Sequence, residues 1–237
     1  MDFSIDPRVL QAHPHLLVGL LVCTGLKNGS APPEVTAKLR EAEAGVRSRY
    51  SDAEKLKEDP VIAAWQEVHR GFGSNPNKYM SSIHALTKRV VKGGELPTIN
   101  ALVDLYNAIS LRYMLPVGGE DLDRCSGAIT LTYADGTESF TALGDAEPEP
   151  PDPGEIVYKD AEGVLCRKFN WREAARTCLT EQTKSAVLVM EAVPPTTREA
   201  LQSAMKELEE SVQLFCGGTV QPFILDASSS EAAIFPA

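Results

Sequence analysis

From Pro32 to Met114 the apolar residues recur at intervals of three and four, and beyond Pro116 they alternate at intervals of two. Helices first and strands later, without regular β-α alternation, argue against a doubly wound parallel sheet and for an α+β fold. The expected architecture is a single domain in which N-terminal helices pack on a mixed or antiparallel sheet. Val35, Leu39, Ala42 and Val46 mark a helix over about 32–50, and Val61, Ala64, Trp65 and Val68 a second one after Asp59-Pro60. A third, over about 80–92, stops at Gly93-Gly94. A fourth, over 98–114, carries Ile99, Leu102, Val103, Tyr106, Ile109 and Tyr113 on one stripe, with Thr98 placed to cap it.

Two strand-like pieces precede these helices within residues 1–30, the second over 16–26. After Pro116, Ala134-Asp135-Gly136-Thr137 reads as a turn joining a strand over 128–133 to one over 138–143. A second hairpin turns at 160–163. The acidic, Pro-rich stretch 145–153 is an exposed loop. An apolar strand over 186–193, a helix over 197–215 and a strand over 219–225 complete the domain, which spans 1–226, and 227–237 is a flexible tail.

The 237 residues include 33 acidic and 23 basic ones, a formal net charge of -10. Such a chain has no global attraction to a polyanion, and DNA is not an expected partner. Yet no Asp or Glu falls in 68–94, while Arg70, Lys78, Lys88, Arg89 and Lys92 all do. Lys78, Lys88, Arg89 and Lys92 are therefore candidate RNA contacts, with a solvated helix face as the alternative. Five cysteines, odd in number and without a C-x-x-C pair, suit a reducing compartment rather than a disulfide framework or zinc site. Asp2 and Asp6 stand where a signal peptide carries basic residues, and the apolar run 16–23 is too short to cross a bilayer. A cytoplasmic protein with no membrane partner is expected.

No nucleotide-binding loop, nucleophile elbow or metalloprotease helix motif occurs, and His13, His15, His69 and His84 form no metal-ligand pattern. No metal or cofactor is expected. Polar residues instead concentrate in two places. Asn100, Asp104 and Asn107 share a helix face, followed by Gly118, Gly119, Glu120 and Asp121, where paired glycines admit a ligand close to the backbone and carboxylates accept its hydrogen bonds. A solvated loop accounts for the second group equally well. Arg167, Lys168, Phe169, Asn170, Trp171 and Arg172, with Thr183 downstream, combine cations suited to phosphate with stacking faces. Glu191 lies inside the apolar strand, where an ionised carboxylate is costly unless paired or engaged by a ligand.

Taken in order, these blocks resemble the B3/B4 domain of the phenylalanyl-tRNA synthetase beta subunit. The resemblance begins at Leu96-Pro97-Thr98-Ile99-Asn100, runs through Val103 to Asn107, Leu115-Pro116 and Asp121 to Asp123, and returns at Pro153-Gly154-Glu155 and from Arg167 to Glu191. Phe169-Asn170-Trp171-Arg172 is similar to the free-standing members that lack a synthetase body. The resemblance implies a pocket between helix and sheet that hydrolyses the ester of a mischarged, tRNA-Phe-like tRNA. A Thr-Asn pair of the family falls on Tyr106 and Asn107, its pocket carboxylate on Glu191, and a backbone-lined wall near Phe169 to Trp171. The family histidine two residues after a proline is here Gly118.

Two functions follow as expectations. The first is a trans-acting editing hydrolase in which Glu191 and Asn107 act on water and ester. Asn100, Asp104, Tyr106, Gly118, Gly119, Asp121, Phe169, Asn170, Trp171, Arg172 and Thr183 then shape the substrate site for the aminoacylated 3′ end of a tRNA. The second is a non-catalytic module that binds tRNA or an amino acid.

Overall fold

A computed structural model describes residues 1–234. In chain order they form β1 (Asp2–Ile5), α1 (Pro7–Ala12), β2 (Leu17–Thr24), α2 (Pro33–Arg49), α3 (Ala53–Lys57), α4 (Pro60–Gly71), α5 (Ser82–Val91) and α6 (Ala101–Tyr113). Then come β3 (Val117–Asp121), a 3-10 turn (Leu122–Arg124), β4 (Ile129–Tyr133), β5 (Ile156–Lys159), β6 (Val164–Arg167), β7 (Arg172–Glu173), β8 (Ala186–Ala192), α7 (Arg198–Phe215), β9 (Thr219–Leu225) and β10 (Glu231–Ala233). The α+β expectation holds. A larger sheet runs β10-β1-β4-β5-β6-β7, mixed because β1 and β4 are parallel, and a smaller antiparallel sheet runs β3-β8-β2-β9.

Strand β8 explains how the layers stack. Successive side chains of a strand point to opposite faces. Val187 and Val189 join the core shared with Phe3, Leu131, Tyr158 and Trp65, on the side of the larger sheet. Ala186, Leu188, Met190 and Ala192 join a second core with Leu102, Leu105 and Ile109 of α6 and Leu201, Met205 and Leu208 of α7. A strand covered on both faces reads as an unbroken apolar run, as 186–193 does. Each fully buried Val or Leu contributes about 1.5–3 kcal/mol. Register is thereby fixed, because a slip of one residue would put Glu191 on the wrong face.

Helix starts follow side-chain chemistry. Asp6, Asp52, Asp59, Asn100 and Thr197 each accept a backbone N–H of the first turn they precede. Asn100, not Thr98, caps α6, since its amide oxygen reaches Val103 N. The short α3 was not expected from the sequence. The turn at 134–137 also differs from expectation. Asp135 does accept Thr137 N, but Glu138 folds back onto Asp135 N and Gly136 N instead of opening a strand. The partner of β4 is therefore β5, while 138–143 contributes only an isolated bridge from Ala142 to Ala174. The hairpin turning at 160–163 forms between β5 and β6. From residue 227 to 234 the expected tail is a turn closed by Asp226 and then β10, antiparallel to β1. Residues 235–237 of that tail lie outside the described residues. Among the described residues no helix is long and apolar enough to cross a membrane.

Candidate active site

The two sheets face each other across a cavity of about 30 Å³, room for a water-sized group. The larger sheet contributes a row of side chains, Tyr158 opposite Cys166 opposite Glu173 on β5, β6 and β7. The smaller sheet contributes Gly118, Gly119 and Glu120 of β3 with Val189 and Glu191 of β8. Ser82 and Asn170 also line it. Three carboxyls thus line the space, and no Lys or Arg does.

Glu191 is 3% exposed, and its Oε1 accepts the Tyr158 hydroxyl at 3.0 Å. Burial is the largest influence on it and pushes its pKa up to about 8, against the opposing effect of the Tyr158 hydrogen bond. The same burial holds the Tyr158 phenol well above its ordinary value, so it remains a donor. Burial likewise raises Glu173 to about 6. Burial and then the Glu173 charge carry Glu120 well above the usual carboxylate range. The Oε2 atoms of Glu120 and Glu173 are buried without a hydrogen-bond partner. Burial raises the Cys166 thiol well above its ordinary value, which disfavours the thiolate form.

Gly118 and Glu173 belong together. A Cβ built on Gly118 would lie 2.5 Å from Glu173 Oε1, so the carboxyl fills the space that a side chain at 118 would need. The position where the family resemblance has a histidine is thus taken by an acid from another strand. Gly119 is tight for a different reason: a Cβ there would meet Leu188 Cδ2 at 2.7 Å and Leu179 Cδ1 at 3.1 Å. β3 is an edge strand, and Asp121 N turns outward to Thr177 O. By the alternation of an antiparallel ladder, Gly119 N two residues earlier points to that same outward side.

Asn170 is held at several points. Lys168 and Phe169 adopt positive φ, 49° and 68°, a backbone that bulky residues enter only when the surroundings compel it. Lys168 is tied to Asp152 and Glu155, and Phe169 sits in the core with its ring against Trp65. Asn170 O accepts Ser82 N, and its Oδ1 takes the Nε2 proton of His69 at 3.2 Å, with the tautomer assigned from the network. Burial lowers the pKa of His69, which favours that neutral ring. Asn170 Nδ2 is buried beside Glu191, outside hydrogen-bond geometry in this arrangement but near enough to favour the ionised carboxyl.

Of the residues expected from the sequence, the cavity gathers Gly118, Gly119, Asn170 and Glu191. Others serve nearby structure. Asn100 accepts from Asn28 and Val103 and donates to Leu179 O, while Asp104 accepts Ile99 N. Tyr106 packs against the second core, and Asn107 is half-buried on α6 outside the cavity lining. Asp121 and Thr183 pair with each other at 2.7 Å. Phe169 is a core residue, and Trp171 lies edge-on to Tyr79 under the Arg167 and Arg172 guanidinium groups. The basic run offers less to phosphate than its composition suggests. Glu155 takes Arg167 in a bidentate pair at 2.9 and 2.8 Å, and Arg172 pairs with Asp145. Lys78, Arg89 and Lys92 are exposed, and Lys88 is half-buried with its ammonium near Met80.

Sequence reasoning missed Glu173, Tyr158 and His69. Glu173 lies in a polar stretch with no apolar frame to single it out, and its signal was indirect: a glycine at 118 in a strand that faces a core. Among the described residues no group of three His, Cys, Asp or Glu side chains is arranged to hold a metal ion.

Residues 64–222 match the family described as "B3/4 domain". No curated protein matches the sequence. Among solved structures, an N-terminal fragment of the phenylalanyl-tRNA synthetase beta-subunit from Pyrococcus horikoshii is similar at 13% identity and a TM-score of 0.46, covering 92% of this chain and 49% of that fragment. The chain therefore spans about half the length of that fragment.

Proposed function

The chain belongs to the B3/4 domain family, and we propose that it is a trans-acting hydrolase that removes a wrongly attached amino acid from the 3′ end of a tRNA. The observation that carries this reading is Glu191, a buried carboxyl with a pKa of about 8 in a cavity that admits water. A general base works best when its pKa lies near the operating pH. Tyr158 donates to one carboxyl oxygen, and the Asn170 side chain stands beside the carboxyl. Water attacks the ester carbonyl carbon as its proton passes to Glu191. Asn170 Nδ2, beside Glu191, and the outward Gly119 N–H are donors suited to the carbonyl oxygen as it gains charge. Collapse of the tetrahedral intermediate breaks the bond to the ribose oxygen, which recovers the proton from Glu191. The products are a free amino acid and an uncharged tRNA.

A panel of correctly charged and mischarged tRNAs, each followed for loss of its amino acid, tests the reading. Selective deacylation of at least one mischarged tRNA is expected. A non-catalytic tRNA- or amino-acid-binding module is the second reading, favoured by Gly118, which removes the family histidine. Retention of the amino acid by every tRNA in the panel, with tRNA binding intact, would select it.

A further inference from the structure

The cavity holds more acid than water activation needs. Glu120 and Glu173 face it from opposite sheets with their carboxyls against each other, Glu120 also beside the Thr177 hydroxyl, and each keeps a buried Oε2 with no hydrogen-bond partner. Glu120 is 5% exposed. A buried acceptor without a donor is costly, and native structures rarely leave one unless a ligand or water meets it. The nearby cations are engaged elsewhere: Arg176 with Asp160 and Glu162, Arg172 with Asp145, and Arg167 and Lys168 with Glu155. Three more buried polar atoms at or beside the cavity lack a hydrogen-bond partner: Ser82 Oγ, Asn170 Nδ2 beside Glu191, and Thr177 Oγ1 beside Glu120. A small cavity lined by three carboxyls and by no Lys or Arg suits a small cationic group. The size is also informative, because a space of about 30 Å³ suits a water- or ammonium-sized group rather than a ring.

We propose that the Glu120–Glu173 pair is a binding subsite for a primary ammonium group, with Glu173 entering over the bare backbone of Gly118 to complete it. The proposal rests on the hydrolase reading for the wider ligand, an aminoacyl moiety. That ammonium is either the α-ammonium of the amino acid or the end of its side chain. The groups facing the pair are Glu191 from β8, Tyr158 and Cys166 from β5 and β6, Tyr106 from α6, Cys125 after the 3-10 turn and Arg176 beyond Thr177. Of these, only Arg176 is cationic, and its guanidinium is bound to Asp160. Burial favours the protonated pair, so a cation entering the cavity displaces a proton.

Three amides separate the sources by titration calorimetry of the whole chain: L-norleucinamide, with an α-ammonium only, Nα-acetyl-L-lysinamide, with a side-chain ammonium only, and neutral Nα-acetyl-L-norleucinamide. One of the two charged probes should bind at least about tenfold more tightly than the neutral one. Its affinity should rise about tenfold from about pH 5 to about pH 7, where both ammonium groups remain protonated, with proton release visible as a dependence on buffer ionisation heat. Glu120→Gln and Glu173→Gln, each checked for an unchanged circular dichroism spectrum, should abolish that rise. Equal binding of the neutral amide, no binding of either charged amide, or full affinity in the double glutamine variant overturns the proposal. Should one of these substitutions fail to fold, the probe comparison and the pH dependence of the wild type still decide. Ammonium binding without deacylation of any aminoacyl-tRNA would instead remove the hydrolytic reading and leave this subsite standing.

Discussion

Moving the Glu191 carboxyl from water into the cavity removes solvation from its charged form, and its pKa rises from 4.5 to about 8. The folded chain then keeps a proton that the unfolded chain has lost. This contribution to stability is complete below about pH 4.5 and disappears as pH rises through about 8. The expected result is a Tm that falls between about pH 5 and pH 9 in the wild type and falls less steeply in Glu191→Gln. Rate has the opposite sign, because water activation needs the ionised carboxyl. Hydrolysis of a susceptible aminoacyl-tRNA should rise with pH toward about 8, and Glu191→Gln should lower it by ~10²-fold while leaving tRNA binding near normal. An unchanged rate per folded molecule would make Glu191 a structural acid. Glu191 was legible in the sequence because an acid inside an apolar strand is conspicuous. Asn107 drew attention for its spacing along the helix, yet spacing gives only the face of a helix, and α6 turns that position away from the cavity lining.

Strand β3 shows what an element-level reading gains and misses. The paired glycines were readable as a place of close approach, but each is close to something different. At Gly119 the neighbours are Leu188, Leu179 and the Val187 carbonyl, packed core that cannot yield cheaply. Gly119→Ala should cost about 1–3 kcal/mol by overpacking and lower Tm by several degrees. At Gly118 the neighbour is the end of one side chain, Glu173. Gly118→Ala should therefore destabilise the wild type and be better tolerated beside Glu173→Ala, with a coupling of about 0.5–3 kcal/mol in the double-mutant cycle. Additive effects would separate the two residues. Helices α2, α4, α5, α6 and α7 were visible through their apolar spacing. The partner of β4 was not, since a turn sequence specifies a bend and not which strand the chain meets after it. Glu138, folded back on the turn, ends the local hairpin, and β5 arrives from beyond the acidic loop.

Across the whole molecule the question is how a chain of net charge -10 meets a polyanion. Most of the basic side chains near the cavity are neutralised by carboxylates, as Arg167, Lys168, Arg172 and Arg176 are. The segment 68–94 differs, because it contains no acid of its own. Arg70 there pairs with Glu67, but Lys78 lies over the Tyr79 ring, Lys88 points to Met80, and Arg89 donates to the Glu95 carbonyl. Lys88 and Arg89 occupy the last turn of α5 and Lys92 its cap, where cations also complement the helix dipole. If these four cations contact the proposed tRNA partner, each neutralised phosphate releases counterions, at about 0.7–0.9 per contact. The affinity should then fall with salt at a log–log slope of about -3. Lys88→Glu with Arg89→Glu should weaken binding and flatten that slope by roughly half, whatever the amino acid on the tRNA. Glu191→Gln, remote from phosphate, should leave both affinity and slope unchanged. Binding that ignores salt, or a double variant that binds as the wild type does, would move the RNA surface away from α5.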